Sequence, residues 1–167
     1  MNQPQTPEYP RWAEKYISLV GDNVITTLAA QATDFPNFMR GLQAKADYAY
    51  APGKWTIKEL LGHMIDTERV LVYRLMCITR GEKASLPGFD EDSYVAHAHF
   101  SQSELADLAE EFGLLRKANL FLIKSLNEEE LNRKGVANDL EISVRAIVFV
   151  LAGHVIHHQK IIEERYL

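Results

Sequence analysis

Near the end of the chain, apolar residues recur every three or four positions, and the two polar residues in the middle of that stripe are histidines. With His154 placed at zero on a helical wheel, His158 lies about 40° away, and Ile147, Val150, Leu151 and Ile161 lie within about 60°. A helix here must therefore bury two imidazoles together with its apolar face. Buried polar groups need partners. Two separate hydrogen-bond partners would satisfy these rings, and so would one metal ion shared between them. His157 projects about 60° the other way and is read as a flanking residue.

The rest of the chain has the same helical period. Thr56-Ile-Lys-Glu59 forms a capping box, with a hydroxyl at the N-cap and a glutamate three residues on. It opens a helix expected to run to about Arg80 and to end at Gly81. Ser101-Gln-Ser-Glu104 reads as a second capping box, and Leu105, Leu108, Phe112, Leu115, Leu122 and Leu126 follow at helical spacing. Ser143 can cap the last helix, from Val144 towards Tyr166. An earlier apolar segment starts near Asn23, where Asp22 can cap it, and Pro36 should kink or interrupt it. A short helix is expected over residues 11–20. Residues 48–53 read as a loop, residues 81–100 as a long turn-rich connection, and residues 127–142 as irregular with a turn at Gly135.

Four substantial helices and no convincing strand pattern predict an all-α four-helix bundle with long connecting loops. The chain has 167 residues, enough for one domain with a real core. The expected organisation is an extended, proline-rich N-terminal arm over residues 1–10 and a single domain over residues 11–167.

Composition narrows the function classes. The net charge of −5 disfavours general nucleic-acid binding, which needs a basic face. No apolar run approaches the roughly 20 residues of a membrane span, and no secretory signal is visible. The single cysteine, Cys77, excludes an intrachain disulfide, fits a reducing cytoplasm and reads as a helix residue near the core. A cytoplasmic protein is expected.

His63 lies on the helix opened by Thr56, at the edge of its apolar face, beside Glu59, Asp66, Thr67 and Arg74. Packed against the last helix, it would add a third nitrogen to His154 and His158. Three imidazoles leave positions open for water or substrate. A metal-bound imidazole usually donates its second nitrogen to a carboxylate or carbonyl, and Asp66 and Glu68 are the nearby candidates. Arg69 and Arg74 are candidates to bind an anionic substrate or to pair with neighbouring acids. Residues 86–94 supply Asp90, Glu91, Asp92 and Tyr94, as a lid with an inward acid or hydroxyl or as a solvated acidic loop. Lys54-Trp55 reads as a solvated lysine beside a packing residue, and His97 and His99 as surface residues in extended chain.

Four segments in this order resemble the DinB-like (YfiT-type) family of metal-dependent enzymes. They are residues 55–69 (WTIKELLGHMIDTER), 86–94 (LPGFDEDSY), 153–158 (GHVIHH) and 164–167 (ERYL). The similarity runs from about Tyr16 to the last residue. It implies a four-helix bundle, often homodimeric, with one divalent metal held by His63, His154 and His158. The metal would be nickel, zinc, iron or manganese. Relatives include transferases that use low-molecular-weight thiols such as bacillithiol or mycothiol, and others described as hydrolases. The resemblance thus implies a small-molecule substrate and metal-dependent chemistry, first a thiol S-transfer with a metal-activated thiolate. Hydrolysis, or metal binding without catalysis, is the alternative. Asp66, Arg69 and Tyr94 are the candidate catalytic residues, and no substrate- or thiol-binding signature can be matched residue by residue. Self-association is further suggested by the apolar run Ala146 to Ala152.

Overall fold

Capping starts two of the main helices where the sequence places them. In the computed structural model, which describes residues 1–167, Thr56 Oγ1 accepts from Glu59 N at 3.2 Å and Glu59 Oε2 accepts from Thr56 N at 2.8 Å. Ser143 Oγ accepts from Ala146 N at 3.0 Å. Each contact satisfies backbone donors that a helix start leaves without partners. In chain order the helices are α1 (Glu14–Ile17), α2 (Val24–Arg40), α3 (Ile57–Thr79), α4 (Glu91–Ala98), α5 (Leu105–Ser125), α6 (Glu128–Asn132) and α7 (Val144–Arg165). Between α6 and α7 lies an antiparallel hairpin of β1 (Lys134–Ala137) and β2 (Leu140–Ser143). The four long helices α2, α3, α5 and α7 make the bundle, with α2 along α5 and α3 between α5 and α7.

The core divides into two clusters. One joins the first half of α7 to the second half of α3 (Leu71, Leu75, Ile78). The other joins the first half of α3 to Val155 and Ile162 of α7. Helices α3 and α7 therefore run antiparallel, and the middle of α3's first half faces the second half of α7. No helix is long and apolar enough to cross a membrane.

Several local expectations are corrected. Residues 11–20 form a 3-10 turn (Arg11–Ala13) followed by the single turn α1, not one continuous helix. Helix α2 starts behind Asn23, which makes no side-chain cap, so Asp22 does not cap it either. Helix α2 runs through Pro36 without interruption. A Cβ on Gly113 of α5 would lie 3.1 Å from both Ala32 O and Pro36 Cγ, so the bare glycine lets α5 close over the proline. The Ser101–Glu104 box does not form. Ser101 lies in a 3-10 turn, and α5 begins behind Glu104 with no side-chain cap. Phe100 explains this: its ring fills the notch at Gly62 of α3, where a Cβ would lie 2.3 Å from Phe100 Cδ2.

The 81–100 connection contains α4, whose N-cap Asp90 Oδ1 accepts from Ser93 N at 3.1 Å. With Val95 its one buried residue, α4 shows no apolar period to read. Residues 127–142 are ordered as α6, with an Asn127–Glu130 capping box, and the hairpin. The turn is at Asn138 and Asp139, with φ of 52° and 59°, as in type I′ hairpins. Gly135 sits in β1, where a Cβ would meet Ile78 Cγ1 at 2.5 Å. Residues 1–10 form no helix or strand, and Glu8 O accepts from Ser143 N at 2.8 Å. The run Ala146 to Ala152 is wholly buried inside the chain, under α1, α2 and α3, and so offers no surface for a second copy.

Candidate metal centre

The antiparallel pairing of α3 and α7 brings together three imidazoles from distant parts of the chain. His63 Nε2 lies 3.2 Å from His154 Nε2. His158 Nε2 lies 3.0 Å from His154 Nε2. One ligand atom from each ring falls within 4.8 Å of the other two, and no carboxylate or thiol belongs to the group. All three side chains are buried.

Burial sets their charge. It pushes His63 down to about 4. It pushes His158 down to about 2, with His63 adding to the effect. His154 is lowered well below the ordinary range, first by burial and then by His158 and His63. The rings are therefore neutral near pH 7, the form in which imidazole offers a lone pair. Nitrogens held about 2.0–2.1 Å from one cation lie roughly 2.8–3.4 Å apart, from octahedral to tetrahedral angles. The observed 3.0 and 3.2 Å separations fit that spacing. His158 Nδ1 is buried with no hydrogen-bond partner, so no protein group competes to fix its tautomer. The donor set suits a divalent cation.

Aromatic residues hold the cluster in place. The Trp55 ring lies 4.7 Å from that of His63, tilted by 36°, and Trp55 O accepts from Tyr166 Oη at 2.7 Å. Tyr16 presents its ring to both His154 (5.4 Å) and His157 (5.3 Å). That approach requires Gly153, since a Cβ there would lie 2.1 Å from Tyr16 O. His157 is half-buried and outside the trio.

A cavity of about 300 Å³ opens beside His158, lined among others by Tyr50, Trp55 and Tyr166 and by the charged residues Lys54 and Asp92. Neither charge has an ion-pair partner within 4 Å, since the ion pairs of the chain involve other residues. Burial raises the Tyr166 phenol to about 12, so it stays protonated as a donor.

Other residues singled out in the sequence lie elsewhere. Asp66 accepts from Arg69 Nη1 at 3.4 Å, and Arg69 also pairs with Glu111 of α5. Both are tied into an ion cluster at the surface, with Asp66 half-buried, and neither hydrogen-bonds to the three imidazoles. Glu68 turns to Arg116, not to His63. Arg74 donates to Pro87 O at 2.7 Å. Tyr94 is exposed with its ring against Phe89, and is not among the cavity-lining residues, whereas Asp92 of the same segment is. His97 lies on α4 and His99 ends it with φ of 56°, so neither is in extended chain; both are exposed. Cys77 is half-buried in α3.

Trp55, Tyr166 and Lys54 were not legible as cavity residues. The available signal was their offset. Trp55 lies eight positions before His63 and Tyr166 eight after His158, which places both at the same end of an antiparallel pair.

No curated protein matches the chain in sequence. Among solved structures, it is similar to YfiT from Bacillus subtilis, described as a probable metal-dependent hydrolase with an unusual four-helix bundle topology. The TM-score is 0.66 at 18% identity, over 93% of this chain and 86% of that one, a likeness of fold. The profile of the DinB superfamily matches residues 27–162, a span that runs from the first turn of α2 through most of α7 and contains all three clustered histidines. The chain belongs to the DinB superfamily.

Proposed function

We propose that His63, His154 and His158 hold one divalent cation, and that the chain is a metal-dependent enzyme acting on a small molecule bound beside His158. The observation that carries this reading is the convergence of three neutral, buried imidazole nitrogens from α3 and α7 at ligand spacing. Three nitrogens without a carboxylate favour zinc, nickel or iron over manganese, which prefers oxygen ligands. Bound there, the cation supplies Lewis acidity, which makes water or a thiol a nucleophile near neutral pH.

The chain's own groups do the rest. Tyr50, Trp55 and Tyr166 exclude water from one side of the substrate and offer ring faces to its apolar part. Asp92, unpaired on the cavity wall, is placed to take up a proton. Water is the first candidate for the nucleophile, since hydrolysis is the activity named for the similar YfiT structure. Lys54 on the same wall favours the second reading, S-transfer from a low-molecular-weight thiol that carries a carboxylate, because its ammonium can pair with that group.

Metal analysis of the purified protein, against a variant with all three histidines changed to alanine, tests the centre. Equal metal content in the two proteins overturns it. Turnover of a panel of small esters, amides and alkyl electrophiles, with and without added thiol, separates the two reactions. Product formation without thiol supports hydrolysis, and strict thiol dependence supports transfer. No rate above a His158→Ala control across the panel overturns catalysis.

A further inference from the structure

Arg116 of α5 is 1% exposed and Glu68 of α3 is 2% exposed. They form a two-pronged pair, Nε to Oε1 at 2.9 Å and Nη2 to Oε2 at 2.7 Å. The guanidinium makes two further bonds, so that each of its three nitrogens has a partner. Nη1 donates to Gln31 Oε1 at 2.7 Å, and Nη2 donates to Leu151 O at 3.2 Å. Gln31 Nε2 in turn donates to Ala152 O at 2.9 Å, and Asn119 Nδ2 donates to Glu68 Oε1 at 2.9 Å. The network joins α2, α3, α5 and α7, the four long helices of the bundle.

Its anchor points sit beside the histidines. Glu68 is five residues beyond His63 on α3, and the gripped carbonyls of Leu151 and Ala152 directly precede Gly153-His154 on α7. Apart from the imidazoles themselves, no side chain of α3 hydrogen-bonds to α7. Along the helices themselves the polar tie therefore runs through Arg116, and the other tie lies just beyond their ends, from Tyr166 Oη to Trp55 O. Apolar side chains tolerate small slides of one helix along another, because dispersion contacts have little directionality. A planar guanidinium held by a carboxylate on one helix and a carbonyl on the next does not. A shift of a few tenths of an ångström between α3 and α7 would open the 3.2 Å gap between His63 and His154.

We propose that Arg116, Glu68 and Gln31 are positioning residues that set the register of α3 against α7 and thereby the geometry of the three-histidine centre. This rests on the metal reading of that centre. A buried ion pair is poor evidence of a purely stabilising role, since well-packed apolar replacements are often neutral or better for stability. Partners on all three guanidinium nitrogens, drawn from three other helices, and on both Glu68 oxygens are what a geometric device requires.

The test is an Arg116→Met/Glu68→Met double variant, which removes both charges together and leaves neither buried alone. Gln31→Met is a milder second variant that releases the grip on Ala152. Each is compared with the wild type for its Co2+ dissociation constant by chelator competition, for the visible spectrum of the Co2+-loaded protein, and for the melting temperature of the metal-free form. Loss of supporting interactions around metal ligands costs about 10- to 100-fold in affinity, so the double variant should bind Co2+ at least about tenfold more weakly, with shifted ligand-field bands. Gln31→Met should move in the same direction by less. A purely structural role would lower the melting temperature and leave affinity and spectrum unchanged in the folded variants. That result overturns the proposal while the metal reading stands. A wild type that takes up no Co2+, or takes it up equally after His154→Ala, overturns the metal reading and this proposal with it.

Discussion

The Nε2 atoms of His63 and His154 lie 3.2 Å apart across 91 positions of chain, and neither ring is charged near neutral pH. No local interaction accounts for that closeness. It follows from α3 and α7 running antiparallel, with Gly153 admitting Tyr16 on one side of His154 and Trp55 covering His63 on the other.

His154 is the shared neighbour of the other two nitrogens, at 3.2 and 3.0 Å. Its replacement by alanine leaves two imidazoles where three had met and removes the nitrogen nearest to both. Divalent metal affinity should fall by about 100-fold or more, since each lost first ligand outweighs the 10- to 100-fold cost of lost outer support. Chelator competition on the variant reads this directly. Retention of wild-type affinity would move the ligand set elsewhere.

Metal-free protein should lose stability on mild acidification. An unfolded histidine takes up a proton near 6.5, whereas burial holds folded His63 down to about 4 and His158 to about 2. Between about pH 6.5 and 4 the unfolded chain therefore binds more protons than the folded one, and unfolding becomes more favourable as pH falls. The stabilising contribution is fully present above pH 6.5 and is lost as pH drops through that window. Thermal melts of chelator-treated protein at pH 7.5, 6 and 5 should show a falling midpoint. A variant with all three histidines changed to glutamine should show a shallower slope, and equal slopes would exclude these rings as the source.

Gly153→Ala should be destabilising although alanine is the better helix former. The added methyl would lie 2.1 Å from Tyr16 O, a backbone atom that cannot rotate away. Overpacking of this kind costs about 1–3 kcal/mol, against a helix-propensity gain of about 1 kcal/mol. Urea denaturation of the metal-free protein should give a net loss, and a net gain would show that α1 is free to move off α7.

Asp139→Gly should stabilise the protein. Asp139 holds φ of 59° at the hairpin turn, a left-handed conformation that costs an L-residue about 1–2 kcal/mol and glycine little. Its side-chain contact, Ser85 Oγ at 3.5 Å, is long. A gain of about 1 kcal/mol would raise the melting temperature by roughly 2–4 °C in a chain of this size. An unchanged or lower midpoint would mean that the Ser85 contact, or glycine's extra freedom in the unfolded chain, outweighs the relief of strain.

Local signals decide the structure unevenly, according to the range over which each acts. The Thr56 box and the Ser143 cap work within three residues and formed as read. The Ser101–Glu104 pattern has the same local form, but Phe100 wedged against Gly62 pulls the chain into a 3-10 turn. The four-residue strands of the hairpin were missed because their order comes partly from outside. Leu86 N donates to Val136 O, and Leu86 O accepts from Asn138 N, both at 2.9 Å. Pro36 is expected to kink or interrupt its helix, yet α2 is continuous through it and packs there against Gly113.

From the order of residues alone follow the helical stretches, the capped starts of α3 and α7, and a pair of histidines on one apolar face, because each depends on a 3.6-residue period or a hydrogen bond spanning one turn. The position of His63 against that pair, the choice of Arg116 over His63 as partner of Glu68, the identity of Trp55, Tyr166 and Asp92 as cavity walls, and the burial of the run that had suggested self-association were settled only by tertiary packing. Those relations join residues tens of positions apart. Their distances depend on how far one helix slides along another, a quantity that side-chain interlocking sets and that no local period encodes.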